Sequence, residues 1–268
     1  GAQVWMPCEV RGLERVQRVG FRGWRVQTRL GEVEAQRVIA NVLPQKLRGM
    51  LGWGEGQHRG LDARAAQGED GWGAAMLYRV VDGEALAHKT PHHLALIQDP
   101  SAPLVEGNHL FCSVSGAEET ARVKIAGERT VTVSTHVPMR KLRAMSDEMQ
   151  AAYIQEIQDR MRTGITALAP ELAGDHVRLE MPASPRTFAR FTGRPWGYVG
   201  GIPRRAGLRH YADLWPQQPA DGLYLVGDSV FPGQSTLAAA LGGVKVAQSV
   251  LLFLGDSLKE GEYNNQNE

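Results

Sequence analysis

Apolar and polar residues alternate along residues 1–40, where valine and tryptophan recur between charged residues and glycine interrupts the runs. A period of two is typical of half-buried strands, so this part predicts a β-meander with a turn at Gly31-Glu32. Its last run, "RVIANVLPQ", is expected to stop at Asn41, because Pro44 follows and disfavours continued regular structure before it.

A second set of alternating runs follows residues 45–73, which are rich in glycine and charge and predict a short helix and a loop. The G-x-G spacing in "GWGEG" is rejected as a dinucleotide motif, because no strand leads into it and no clear helix follows. Antiparallel strands, about four of them, are expected beyond it. These strands have the sequences "AAMLYRVV", "HHLALIQ", "HLFCSVS" and "RTVTVSTHV".

The clearest helical pattern in the chain begins after Ser146, which is a suitable N-cap and is followed by two acidic residues. Apolar side chains recur at helical spacing from Met149 to Ile165, and the Ala169-Pro170 step marks the end. This stripe indicates core packing rather than contact with a cofactor.

Glycine and proline punctuate residues 184–205. Glycines at 193, 197, 200 and 201 predict backbone that lies close against a flat partner or another loop, with an irregular surface loop as the alternative. The polar tail "EGEYNNQNE" at the end of the chain predicts disorder.

The most organised stretch is "DGLYLVGDSVFPGQSTLAAALGG", residues 221–243. The apolar run before Gly227 and Asp228 predicts a strand buried on both faces, and the residues after Ser235 or Thr236 predict a buried helix. A strand end, an acidic acceptor and a helix N-terminus together favour a ligand with hydroxyl and anionic groups. A plain strand–turn–helix, with Asp228 capping the loop, is the alternative.

The composition of the chain bears on three questions: whether it is globular, whether it binds nucleic acid and whether it spans a membrane. The 268 residues are 43% hydrophobic and 22% charged with a net charge of +1, which suits a globular protein and gives no sign of nucleic-acid binding. Cys8 and Cys112 are expected to be reduced thiols. The longest apolar run, around residues 250–254, is too short to span a bilayer, so we expect at most a peripheral membrane contact.

Two kinds of chemistry are set aside. The histidines, which include His88, His92 and His93, lack the spacing of a metal site, so no metal is predicted. "GDSL" at 255–258 resembles a hydrolase motif, but the last histidine, His210, precedes it and no G-x-S-x-G turn occurs. We expect Gly255 to end a helix instead.

The stretch "GLYLVGDSVFPGQSTLAAALGGVKVA" resembles the C-terminal flavin motif of FAD-dependent oxidoreductases of the phytoene desaturase, carotenoid isomerase and retinol saturase type. "GAQVWMPCEVRGLE", "VEAQRVIANVLP" and "SPRTFARFTGRPWGYVGGIP" resemble other parts of the same family, so the likeness runs from Gly1 to about Leu254. The resemblance implies an α/β fold: a partial Rossmann-like FAD domain beside an antiparallel-sheet-plus-helix substrate domain. It places the FAD domain at 1–44 and 220–256, the substrate domain at 45–219 and a polar tail at 257–268.

The resemblance also implies site residues. Gly227 and Asp228 would hold the ribityl and phosphate region of FAD, and Val10 would touch the adenine through its backbone. The turn and helix start that would face the flavin ring comprise Pro232, Gly233, Gln234, Ser235 and Thr236. No catalytic residue is identified, and Arg190 and His210 are guesses.

One departure from the family pattern matters: the strand–GxGxxG–helix unit that wraps the FAD pyrophosphate is absent from this sequence. We therefore expect the chain alone to bind FAD weakly or not at all and to need a missing N-terminal segment of the same protein as its partner. The expected substrate is a long apolar polyene that is desaturated, saturated or isomerised, and the expected location is cytoplasmic, with contact at a membrane surface through "MRKLRAM" (139–145) as one possibility. An amine-oxidase-like flavoenzyme and a non-catalytic binding or scaffold module are the alternatives.

Overall fold

The computed structural model describes residues 1–54, 56–86, 91–204, 207–208 and 218–265, with side chains up to residue 253. The chain forms two compact units, Gly1–Glu69 with Gly200–Glu268, and Asp70–Val199. These boundaries differ from the predicted division at residues 44 and 220. The reason is that the helices after Pro44 share a hydrophobic core with the N-terminal strands.

The first unit opens with the predicted meander. Strands β1 (Val10–Arg18), β2 (Phe21–Thr28) and β3 (Gly31–Ala35) form an antiparallel sheet in the order β1-β2-β3. Gly31 begins β3 with a φ of +128°, a conformation that favours glycine and fits the predicted turn.

A pair of parallel strands follows the meander. Strand β4 (Val38–Ala40) pairs with the tenth strand of the described chain, β10 (Leu223–Leu225), in the register Tyr224 to Ile39. All three residues of β10 are buried, as its continuous apolar sequence predicts.

Two helices close the core of this unit. Helices α1 (Pro44–Leu51) and α2 (Arg59–Gly68) replace the single short helix predicted for this part of the chain. Both contribute to one hydrophobic cluster, which explains why they group with the meander. Its buried members are Leu13, Trp24, Leu47, Leu51, Leu61, Leu223, Leu225 and Val230.

The last helix of the described chain, α6 (Thr236–Asn265), corrects three expectations. It continues past Gly255, so that glycine does not end it, and its backbone is helical into the tail that was predicted to be disordered. It was also predicted to be buried, yet only 11% of the segment Thr236–Phe253 is buried. The segment Thr236–Phe253 is apolar, but little of it packs against this unit: Val246 is buried while Leu237 is 72% exposed.

The same segment, Thr236–Phe253, is long and apolar enough to cross a membrane by length and composition alone. The expectation from the longest uninterrupted apolar run overlooked it, because alanine and glycine connect shorter runs. Length and composition are weak grounds for a membrane span, since helices that pack inside proteins share them.

The second unit is an antiparallel sheet covered on one face. Its strand order is β6-β7-β8-β5-β9, so the four predicted strands are present and a fifth joins them at the edge. The strands are β5 (Trp72–Asp82), β6 (His93–Ile97), β7 (His109–Val114), β8 (Glu128–Pro138) and β9 (Val177–Ala183).

Helix α4 (Asp147–Leu168) supplies the cover and begins and ends as predicted, with the Ser146 hydroxyl accepting a hydrogen bond from the Met149 amide. The apolar stripe is buried from Tyr153 onward, with Ile157 and Ile165 fully enclosed, whereas Met149 at its start is 59% exposed. Two short helices flank it, α3 (Met139–Arg143) and α5 (Pro185–Thr192).

Candidate functional site

The carboxyl ends of the two parallel strands lie side by side in the first unit. Asn41 follows β4 and Gly227 follows β10, and the Val226 amide donates to the Ala40 carbonyl at 3.0 Å. A Cβ added to Gly227 would be 2.5 Å from Oδ1 of Asn41, so this side chain lies directly against the glycine. Ligands of open α/β sheets bind where strands end in this way.

Asp228 is held at this corner by its neighbours in the chain. Ser229 and Val230 are 2% and 1% exposed, so the loop is anchored in the core directly after Asp228. The Asp228 side chain is half-buried and accepts a 3.4 Å hydrogen bond from the Ser229 hydroxyl. Gly227 and Gly233 have φ of +105° and +103°, which allows the loop to turn at both ends.

The loop leads into the N-terminus of α6. The Ser235 hydroxyl accepts from the Ala238 amide at 3.1 Å, and the Ser235 carbonyl accepts from the Ala239 amide, so Ser235 is the N-cap. Gln234, Ser235 and Thr236 are exposed, Pro232 is half-buried and Gly233 is buried. The positive end of the helix dipole is therefore open to solvent beside Asp228.

The remaining predicted residues lie elsewhere. Val10 begins β1 at an irregularity of the strand register and packs against the hydrophobic cluster of the first unit. Arg190 is exposed on α5 in the second unit, and its guanidinium lies 5.5 Å from the Phe191 ring centroid. His210 lies outside the described residues.

Sequence reasoning missed the part that Asn41 has in this corner. The sequence placed it at the end of a strand, which was the available signal, but the parallel pairing of β4 with β10 was needed to bring it next to Gly227. With Asn41 included, the corner offers an amide, a carboxylate and a helix N-terminus, a set that suits a ligand with hydroxyl and phosphate groups.

The second unit has one sheet face whose apolar side chains are partly exposed. On β5, Leu77 and Val81 are fully buried, whereas Tyr78 and Val80 point the other way and are half-buried. Opposite them on β9, Met181 is 55% exposed and Leu179 is 50% exposed. We call this surface the open sheet face; its apolar members also include Met76, Ile97 and Phe111.

Two charged networks support this unit. Arg79 is buried and donates to Glu180 Oε2 at 2.8 Å and to the Leu172 carbonyl at 2.7 Å, while Arg162 binds the other oxygen of Glu180. Beside α4, Tyr153 and Lys141 both hydrogen bond to Oε1 of Glu106. These groups stabilise the sheet and its helix, and none of them lies in the first unit.

The pKa values of the second network follow from its geometry. Burial raises the pKa of Glu106, but the hydrogen bonds from Lys141 and Tyr153 outweigh it, so the pKa falls below its ordinary value. Burial and the Glu106 carboxylate raise the pKa of Tyr153, which stays protonated. Burial also raises the pKa of the Cys112 thiol to about 11, which makes it unreactive.

The segment 139–145 is amphipathic. Met139 and Leu142 are buried, whereas Arg140 pairs with Asp70 and Lys141 pairs with Glu106. Two of the three cations in this segment, Arg140 and Lys141, are therefore held in local ion pairs.

Among the described residues, no group of three or more His, Cys, Asp or Glu side chains is placed to hold a metal ion. His92 and His93 lie at the start of β6, where His92 Nδ1 is 3.3 Å from the Val114 carbonyl and His93 stacks on Phe111. His88 lies outside the described residues. Both cysteines are free.

No protein-family model matches the chain. It is 29% identical over 119 residues to a chloroplastic prolycopene isomerase of Arabidopsis thaliana, a match that covers 44% of this chain and 19% of the plant protein. The predicted resemblance to carotenoid isomerases is therefore confirmed by sequence similarity. The match spans only about a fifth of the relative's length.

Solved oxidoreductases share the fold. A putative protoporphyrinogen oxidase from Exiguobacterium sp. 255-15 superposes with a TM-score of 0.53 at 11% identity, covering 91% of this chain and 46% of that one. A variant of putrescine oxidase gives a TM-score of 0.52 at 13% identity, with 91% and 48% covered. The predicted fold class, mixed helices and strands with antiparallel sheets, is confirmed.

Proposed function

We propose that this chain is the C-terminal part of an FAD-dependent oxidoreductase or isomerase that acts on a long apolar polyene. The observation that carries the proposal is the corner formed by Asn41, Gly227, Asp228 and the N-terminus of α6. The sequence similarity to a prolycopene isomerase supports the class of substrate.

The residues at the corner fit part of an FAD molecule. The Asp228 carboxylate only accepts hydrogen bonds when ionised, which matches hydroxyl donors such as those of a ribityl chain. The exposed N-terminus of α6 carries the positive end of the helix dipole, which favours a negatively charged group such as a phosphate or a reduced isoalloxazine ring. The absent side chain at Gly227 leaves room for the Asn41 side chain at the strand end, because a Cβ there would be 2.5 Å from Oδ1 of Asn41.

When bound, FAD would supply the hydride chemistry that the protein itself lacks. The chain's own residues would bind and orient: Asp228 and Asn41 would fix the cofactor's polar chain, and Gln234, Ser235 and Thr236 would lie at the ring. Catalysis of this kind depends on positioning, so a general acid or base among these residues is not required.

The open sheet face is the proposed contact for the substrate. Its apolar members lie on neighbouring strands, where Met181 is directly opposite Tyr78 and Leu179 is opposite Val80. Partly exposed apolar side chains on neighbouring strands indicate a binding surface, and an extended hydrocarbon matches them in polarity. An amine substrate, as in putrescine oxidase, would favour acidic groups at the same place, so the polyene is preferred.

We propose a preceding segment of the same protein as partner. A parallel pair of only two strands is unusual, because parallel sheets are normally larger and covered on both faces. Leu237, Leu241 and Val244 form an exposed stripe on α6 in the same unit. A strand added next to β4 and a helix packed on this stripe would complete such a sheet, and the matched relatives are longer than this chain. Without them we expect the chain to bind FAD weakly.

Cellular location belongs to the same proposal. The matched Arabidopsis relative is named as chloroplastic, which differs from the cytoplasmic expectation for this chain. An apolar polyene resides in membranes, and the exposed apolar side of α6 would allow contact with a membrane surface.

FAD titration of the longest natural chain that contains these residues tests the proposal. We expect stoichiometric flavin absorbance for the unmodified protein and roughly ten- to hundredfold weaker binding for Asp228→Ala, since hydrogen bonds to a charged group are lost. Asp221→Ala is the matched control, because Asp221 pairs on the surface with Arg15 and Arg22. Absence of flavin from that protein would favour the scaffold alternative, and equal affinities of the two variants would remove Asp228 from the site.

A further inference from the structure

Two consecutive glycines lie directly against the candidate cofactor loop. A Cβ added to Gly201 would be 2.3 Å from the carbonyl oxygen of Asp228 and 3.0 Å from the Ser229 nitrogen. A Cβ added to Gly200 would be 2.9–3.0 Å from the terminal amide atoms of Gln234. The pair therefore touches two of the residues predicted to bind the cofactor, at opposite ends of the loop.

Glycine is required here for two independent reasons. Gly200 and Gly201 have φ of +77° and +65°, in the left-handed region that other residues enter at a cost. Close approach is the second reason, since real Cβ atoms are not found below 3.0 Å from backbone atoms. The contact at Gly201 is with rigid backbone, whereas the contact at Gly200 is with the far end of a flexible side chain.

The glycine pair contacts the loop in addition to the loop's core anchor. Val230 fixes the loop from within, being 1% exposed in the hydrophobic cluster. Ile202, which is 5% exposed, anchors the segment that carries the glycines. Arg204 adds a hydrogen bond of 3.5 Å to the Gln234 carbonyl. The peptide after Asp228 thus lies against Gly201 and leads directly into the buried Val230.

We propose that Gly200 and Gly201 are positioning residues for the cofactor loop: Gly201 sets the main chain of Asp228, and Gly200 sets the side chain of Gln234. The geometric part of this proposal stands on the contacts alone. Its consequence, control of FAD affinity through Asp228 and Gln234, rests on the proposed function.

Hydrogen exchange of the 268-residue chain tests the geometric part. Gly201→Ala should speed amide exchange within residues 227–235 roughly tenfold, since a displaced peptide opens more often. Its control is Gly52→Ala, at φ +61° with no atom within 4 Å of the added Cβ. Gly52→Ala thus carries the energetic cost of an alanine at positive φ but adds no close contact with other atoms. Equal exchange of residues 227–235 in the two variants would overturn the proposal.

The second glycine keeps the test informative if Gly201→Ala does not fold. Gly200→Ala is compared with Gly20→Ala, whose φ of +75° nearly equals the +77° of Gly200 and whose surroundings are open. Truncation of the contacting side chain in Gly200→Ala/Gln234→Ala should return exchange of 227–235 to the level of Gly20→Ala. No difference between Gly200→Ala and Gly20→Ala would contradict the assigned contact.

FAD affinity of the longest natural chain tests the functional part. Gly201→Ala should weaken FAD binding in the presence of Asp228 but add little in an Asp228→Ala background, a coupling that a merely structural role would not produce. Equal losses in both backgrounds would reject the role of Gly201. If the unmodified protein binds no FAD, the proposed function fails, while the exchange experiment still decides whether the glycines position the loop.

Discussion

Gly227 lies against Asn41 at the ends of two parallel strands, so close that a Cβ on the glycine would be 2.5 Å from Oδ1 of the asparagine. The two residues are far apart in sequence and meet only because β4 and β10 run in the same direction in register. Their contact marks the corner at the two strand ends, and Asp228 lies there because it follows Gly227 directly.

Gly227→Ala is predicted to destabilise the first unit by about 1–3 kcal/mol and to weaken FAD binding, because a φ of +105° and the contact with Asn41 both oppose a side chain. Denaturant unfolding followed by circular dichroism gives the first quantity, and flavin fluorescence gives the second. In the double variant Asn41→Ala/Gly227→Ala, stability and FAD affinity should recover only by the amount that the contact with Asn41 had cost.

Gly31→Ala is the matched control for this change. Gly31 has a φ of +128° and no atom within 4 Å of an added Cβ, so it measures the conformational part alone. A Gly227→Ala variant no less stable than Gly31→Ala and with unchanged FAD affinity would show that the Asn41 contact is unimportant.

Met181→Lys on the open sheet face is predicted to leave stability nearly unchanged and to abolish binding of an apolar polyene. Met181 is 55% exposed, so a lysine there remains solvated, yet it places a charge where hydrocarbon would lie. Quenching of protein fluorescence by retinol, on either the chain or its longer natural form, measures the binding.

Leu168→Lys is the control for that variant, since Leu168 is 46% exposed at the end of α4 and away from the open sheet face. Retinol binding that survives Met181→Lys, or that both variants lose equally, would exclude the open sheet face as the substrate contact.

Arg79→Ala is predicted to destabilise the second unit by about 1–3 kcal/mol, because the Leu172 carbonyl loses its donor and the Glu180 carboxylate keeps only its contact with Arg162. Thermal unfolding of the chain measures the loss. Arg178→Ala is the exposed comparison; its pair with Asp82 lies at the surface and should contribute less than about 1 kcal/mol. Similar losses for both variants would mean that the Arg79 network does not stabilise the sheet.

Local signals in the sequence were enough for some elements. Ser146 and the acidic residues after it predicted the start of α4, because a helix cap acts within a few residues. The uninterrupted apolar residues of β10 predicted burial because a run without polar positions has no face suited to solvent, although the residues that bury it are distant in sequence.

Other features depended on distant residues and were missed. Strand β9 contains Pro182 and exposed Leu179, a pattern that argues against a strand unless it lies at a sheet edge. The exposure of α6 depends on what else packs on it, which its own composition does not indicate. The glycines at 197, 200 and 201 do lie against other segments, as one alternative held, whereas Gly193 ends α5.

Glu106 gives the second unit a predicted loss of stability in acid. Although burial alone would raise its pKa, the hydrogen bonds from Lys141 and Tyr153 lower it below the ordinary 4.5. A lowered folded-state pKa means that its contribution is fully present above the unfolded-state value and is lost as the pH falls through the folded-state value. Urea unfolding at pH 7 and at about pH 3 should therefore show a larger loss for the unmodified chain than for Glu106→Gln.

The comparison with Glu106→Gln isolates this carboxylate, because glutamine keeps the size of the side chain and cannot ionise. Glu118→Gln, at an exposed glutamate of the same unit, controls for the change in net charge. At pH 7 Glu106→Gln should be less stable than Glu118→Gln, since Lys141 and Tyr153 lose a charged acceptor. Parallel loss of stability with pH in all three proteins would mean that the Glu106 network does not contribute to folding.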